Sequence, residues 1–259
     1  MDTAPLSPVP QIPLPKRSKK WWVVIGIILA LLIVGLLAFP QIAARVGLDA
    51  FRSGISVAHP ELAIVPVPLD LSSVYATGPQ SFSYYGVSFK VPWQDVPKVV
   101  TSTGDVGTQL KFSGGQFVTV MTRSSFTDSV SAVLASTLMD AEQIARIKSV
   151  FGENTFASDY NFLKVVLGAS PSDTGVANTT LLPLKYSDFG LLGEDKPLAI
   201  YNFEQPIKGF EMVGQGTKNG QIHRITFLFD ADGKGAHDFI IGGATDDEAN
   251  SVLASIQLK

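Results

Sequence analysis

Few residues in this chain have the types and spacing that chemistry requires. Its three histidines are His59, His223 and His237, and it has no cysteine. Disulfides, thiolate metal sites and cysteine nucleophiles are thereby excluded. His59 precedes Pro60, outside any regular element. If a hairpin closes over Ala231 to Gly235, His237 pairs near Phe229, well away from His223. A metal triad or a Ser-His-Asp arrangement would therefore depend on the fold bringing distant groups together. No Gly-x-Ser-x-Gly elbow occurs, and Ser88 falls in a strand-like run rather than on a strand-to-helix turn. Asp230-Ala231-Asp232-Gly233 matches the opening of a calcium loop, but the twelfth position is Ile241 instead of Glu, and the run reads as a hairpin turn. Gly104 to Gly107 and Gly114-Gly115 lack the strand, Lys-Ser/Thr and helix context of a phosphate loop. Asn178-Thr179-Thr180 is a glycosylation sequon, relevant only in a eukaryotic secretory setting. On these grounds no catalytic residue, cofactor site or metal site is assigned, and the chain is expected not to be an enzyme.

Aromatic residues offer more. Phe82, Tyr84, Tyr85, Phe89 and Trp93 are crowded into one short stretch. Strand alternation buries every second one, so most are core. Tyr84 and Trp93 remain as a candidate exposed patch for an unidentified protein or small-molecule partner, because aromatics so often anchor interfaces.

The elements that would position these groups follow from periodicity. Short strands flank Gly86, at SFSYY and VSFKV, and another pair flanks Ser113-Gly114-Gly115. A helical block covers Asp128 to Met139, Ala141 to Phe151 (inner face Ile144, Ile147, Val150 and Phe151) and Asp159 to Leu167, the last capped by Ser158. Thr179 to Phe189 is ambiguous, a helical turn broken at Pro183. Leu198 to Glu204, Ile207 to Gly214, Gln221 to Asp230 and Ala236 to Gly242 read as four strands joined by tight turns. The capping box Thr245 to Glu248 opens a last helix with Ala249, Val252, Leu253 and Ile256 inward. The fold class expected is α+β, an antiparallel β-sheet flanked by helices, preceded by a single N-terminal transmembrane helix.

Tyr85-Gly86-Val87-Ser88-Phe89 followed by Pro92-Trp93, then a helical middle, a meander and a closing helix, resembles the PsbP-like superfamily of photosystem extrinsic and Mog-type proteins. The resemblance covers Ser81 to Lys259. It implies a central antiparallel sheet between helices and a role in binding rather than catalysis. A membrane anchor departs from that family's usual soluble members.

The anchor is the stretch Trp21 to Phe39, nineteen residues without a charge. As a helix it would span about 28 Å at roughly 1.5 Å per residue, close to the hydrocarbon thickness of a bilayer. Lys16, Arg17, Lys19 and Lys20 precede it, whereas only Arg45 and Arg52 follow closely. That asymmetry places the N-terminus in the cytoplasm and the bulk of the chain in the periplasm or outside the cell. Lys19, Lys20, Trp21 and Trp22 form the membrane-interface set. A cleaved secretory signal is the alternative, with small residues at Ala38, Ala43 and Ala44.

The expected organisation is thus a proline-rich, basic cytoplasmic tail (1–20), a membrane helix (21–39), a juxtamembrane segment and proline-rich linker (40–80) whose apolar residues pack partly on the domain, and an extracytoplasmic domain (81–259). Ser81 to Lys259 carries 14 Lys plus Arg against 19 Asp plus Glu. An acidic domain has no electrostatic footprint for nucleic acid, so the bilayer is the one partner the sequence names. Three roles are compatible with this: a binding or accessory domain, an anchored hydrolase with a dispersed carboxylate site, and a structural subunit of a membrane complex.

Overall fold

The computed structural model describes residues 52–76, 78–101, 107–123, 142, 145, 149–152, 154–173, 176–234 and 236–259. The expected tail, membrane helix and interface set (Lys19, Lys20, Trp21, Trp22), and the helix expected over Asp128 to Met139, lie outside these residues. No helix among the described residues is long and apolar enough to cross a membrane.

Among the described residues eleven strands form two sheets. The larger comprises β1 (Val67–Pro68), β4 (Lys98–Thr101), β5 (Gly107–Lys111), β6 (Phe117–Arg123), β7 (Lys196–Phe203), β8 (Lys208–Gln215), β9 (Ile222–Phe229) and β10 (Ala236–Gly242), in the spatial order β1-β7-β8-β9-β10-β6-β5-β4. The smaller comprises β2 (Gln80–Tyr84), β3 (Val87–Val91) and β11 (Gln257–Leu258), in the order β11-β3-β2. The protein is α+β, with its sheets covered by helices α1 (Asp159–Gly168), α2 (Val176–Phe189) and α3 (Asp246–Ala254). All pairings are antiparallel except β1 with β7, so the large sheet is mixed where the sequence suggested a purely antiparallel one.

Turn chemistry explains the hairpins. Tyr85 and Gly86 both have positive φ, 53° and 82°, which is the twist a two-residue hairpin loop needs. Asp230 closes the β9–β10 turn by accepting a 2.7 Å hydrogen bond from the Lys234 amide, so the acidic run is a turn. Helix starts are equally local in origin: Ser158 accepts from the Asn161 amide at 3.2 Å, and Thr245 and Glu248 form a reciprocal capping box.

Strand alternation on the large sheet feeds two cores. One face sends Phe210, Met212, Ile225, Phe227 and Phe229 against α1 and α2. The other sends Leu228, Phe239, Ile241, Val118 and Val120 against α3 and the small sheet, from which Val87, Phe89 and Val91 point inward. The segment before β2 serves both. Ile55, Leu62 and Ile64 pack into the first core, and Leu69, Leu71 and Val74 into the second. The proline-rich stretch is therefore a strap wrapped around the β7 side of the sheet, with β1 at the crossing. Its prolines prevent a long element, but they do not prevent burial.

α2 runs continuously from Val176 to Phe189 with Pro183 inside it, where a broken turn was expected. Pro183 lacks the N–H for one helical hydrogen bond, but Leu181, Leu182 and Leu184 are buried beside it, and their packing outweighs the local cost. Val150, expected on an inner helix face, is exposed, while its neighbour Phe151 is buried.

Candidate functional site

Polar groups converge at one end of the large sheet, where β8 finishes, β9 begins and β10 finishes. His223 sits there on the face shared with α1 and α2. Its Nδ1 is hydrogen-bonded to Asp195 Oδ2, on the turn leading into β7. The neighbours of His223 across the strands are Gly214 and Gly242, so the side chains beside the imidazole come from elsewhere, with Leu192 and Asp195 over Gly214 and Phe117 over Gly242. A Cβ on Gly242 would collide with the Phe117 ring. Glycine is thus what lets Phe117 lie across β10, with its centroid 5.8 Å from that of His223. Asp195 fixes the orientation of the imidazole, and Nε2 makes no hydrogen bond to a described residue. A carboxylate-held imidazole of this kind can accept or deliver a proton, or take a hydrogen bond, at Nε2. Among the described residues no hydroxyl is hydrogen-bonded to it, as a Ser-His-Asp relay would require.

The opposite face of β9 carries a buried ion network one residue further on. Arg224 donates to Glu211 Oε2 at 3.2 Å, and its other terminal nitrogen meets Asp246 at the start of α3. Glu211 is fully enclosed, and burial raises its carboxyl above the usual range despite the nearby guanidinium. Glu211 Oε1, Arg224 Nε and Thr226 Oγ1 have no hydrogen-bond partner among the described residues, and Glu211 and Thr226 stand opposite each other across β8 and β9.

Trp93 does not form an exposed patch. Its ring is buried, packed on Phe112 at a centroid separation of 4.7 Å. Its Nε1 donates to Glu248 Oε1 at 3.0 Å. Burial alone would raise the Glu248 carboxyl, but hydrogen bonds from Thr245 and Trp93 hold it below its ordinary value. Tyr84 is half-buried against the same core, opposite the buried Val87. Both aromatics belong to the core side of the small sheet because it covers the large one, which alternation within β2 and β3 alone could not reveal.

The remaining histidines stay apart. His237 faces the α3 side of the sheet opposite Leu228, and burial depresses its imidazole pKa although Asp238 pulls the other way. His59 bonds Glu61 at 3.0 Å and lies 4.3 Å, centroid to centroid, from the Tyr186 ring. Among the described residues no group of three His, Asp or Glu is placed to hold a metal ion.

Two buried cations went unnoticed in the sequence. Lys185 is fully buried, donating to the backbone carbonyls of Leu62 at 2.9 Å and Ala169 at 2.5 Å, and burial lowers its amine to about 8. Arg123 lies over the Phe227 ring at 4.6 Å and pairs with Asp188 and Asp238 at 3.8 and 3.5 Å. Helical spacing offered no signal for Lys185, since its partners are main-chain atoms far along the chain.

No family model matches the chain, and neither a curated protein nor a solved structure matches it.

Proposed function

We propose that the protein is a single-pass membrane protein that presents its α+β domain outside the cytoplasm as a binding or accessory module. The observation that carries this reading is the uncharged run Trp21 to Phe39 directly after four basic residues, a length and charge asymmetry that suit a membrane anchor with a cytoplasmic N-terminus. The resemblance to PsbP-like proteins supports binding rather than turnover. So does the use of Arg224, Lys185 and Arg123 in contacts internal to the fold, where they brace elements instead of facing a substrate. Its unknown partner is a protein or small molecule.

The test uses the full chain with a C-terminal tag. Alkaline carbonate should leave it in the membrane pellet, and protease added to sealed right-side-out vesicles should remove the tag. A soluble fragment lacking residues 1–39, or a tag protected from protease, would overturn the reading.

A second reading, an anchored enzyme, is favoured by one observation, the Asp195–His223 pair at the open end of the sheet. Turnover of a generic ester, phosphate or peptide substrate that is lost in His223→Gln while the fold is kept would establish it in place of the first.

A further inference from the structure

We propose that the β1 edge of the domain rests on the bilayer surface, so that the domain lies against the membrane instead of hanging from it. This rests on the anchor reading above. The span ends at Phe39 and the described fold begins at Arg52, leaving residues 40–51 between them. Twelve residues reach at most about 40 Å when fully extended and about 18 Å as a helix. The large sheet itself extends about 34 Å from β1 to β4 at roughly 4.8 Å per strand. A tether no longer than about the width of the sheet keeps the side where the chain enters nearer the lipid, on average, than the far edge.

That side is apolar. Around the strap, Val57 is 83% exposed, Val65 42% and Val67 46%, with Leu198 of β7 at 44% and Tyr186 of α2 at 45%. β1 runs parallel to β7, with Val67 beside Tyr201, so Val65, Val67 and Leu198 occupy one edge. Tyr186 reaches the same region through its contact with His59, which follows Val57 by two residues. A tyrosine beside aliphatic side chains suits the headgroup boundary, where the ring is buried and the hydroxyl stays wet. Exposed Lys196 precedes Leu198 by two residues and exposed Asp70 follows Pro68 by two, while His59 is paired with Glu61 and Lys185 is enclosed. Apolar insertion should supply most of the contact, with a smaller salt-dependent part from Lys196. Tethering raises the local concentration of the surface to the millimolar range, so a weak contact suffices.

The absence of cysteine allows single labels at chosen sites. The full chain is reconstituted in phosphatidylcholine–phosphatidylglycerol vesicles, with an environment-sensitive fluorophore on Val67→Cys, Leu198→Cys, Val99→Cys or Ala30→Cys and quenching by spin-labelled lipid. Ala30 in the apolar stretch should be quenched strongly, Val67 and Leu198 several-fold more than Val99, and Val65→Asp should reduce the signal at Leu198. Quenching at Val67 and Leu198 no greater than at Val99, with Ala30 still quenched, would overturn the docking while leaving the anchor intact. An unquenched Ala30 would remove the anchor and the docking together. A Val67 label shielded from aqueous iodide yet untouched by lipid quencher would mean a protein covers this edge, either a second copy or another chain, and would also overturn the proposal.

Discussion

The two edges of the large sheet have the same difficulty and meet it differently. Each ends in a strand with unpaired backbone groups and exposed valines. At β1 the strand is only Val67–Pro68, and the chain on either side of it is sewn into a different core, through Leu62 on one face and Leu71 on the other. At β4, Lys98 to Thr101 is exposed at every position, and among the described residues it is held by pairing with β5. Edge position therefore says little about how firmly a segment is held; the side chains it sends inward decide that. Among the described residues the strap edge is fixed by burial, and the far edge by backbone hydrogen bonds.

Substitutions can break this contrast. Leu62→Ala should have the largest effect, about 2–5 kcal/mol of stability in urea unfolding, since Leu62 is fully buried and the cavity collapses only in part. A cost below 1 kcal/mol would mean the strap is loosely held. Next comes Lys185→Met, which keeps the volume but leaves the Leu62 and Ala169 carbonyls without their donor; about 1–3 kcal/mol is expected. The same variant has a pH signature. The Lys185 amine titrates near 8 when folded and near its ordinary 10.5 when unfolded, so between these values the unfolded chain binds more protons. Stability of the wild type should rise relative to the variant above pH 8, and fall back as pH drops through 8. A flat difference would show that the amine is not desolvated. Amide exchange sharpens the comparison further: β4 should exchange well ahead of β8 and β9, which have partners on both sides. Smallest of all, Val99→Thr should shift stability by no more than about 0.5 kcal/mol.

Much of the architecture was legible in the sequence because its causes are local. Ser113-Gly114-Gly115 and Asp230 to Gly233 marked their turns, Thr245 with Glu248 marked a helix start, and the inward residues Ala249, Val252, Leu253 and Ile256 followed from spacing. β1, β4 and β11 escaped notice, because two- to four-residue strands are too short to show alternation. Pro183 was misjudged, whereas the partial packing of the strap was expected from its apolar residues. Proline forbids certain hydrogen bonds but is silent about tertiary burial. The site was least legible of all: Asp195 and His223 meet only because β7, β8 and β9 are adjacent, and Trp93 is enclosed only because one sheet covers another.

The strap also bears on the order in which the protein can be completed. Val67 pairs with Tyr201, and Val87 of β3 pairs with Leu258 of β11. The earlier segment of each pair thus finds its seat only when one more than a hundred residues later arrives. Contacts so far apart in sequence slow folding and leave the earlier strands unlocked, open to proteases and chaperones, while the chain is being made.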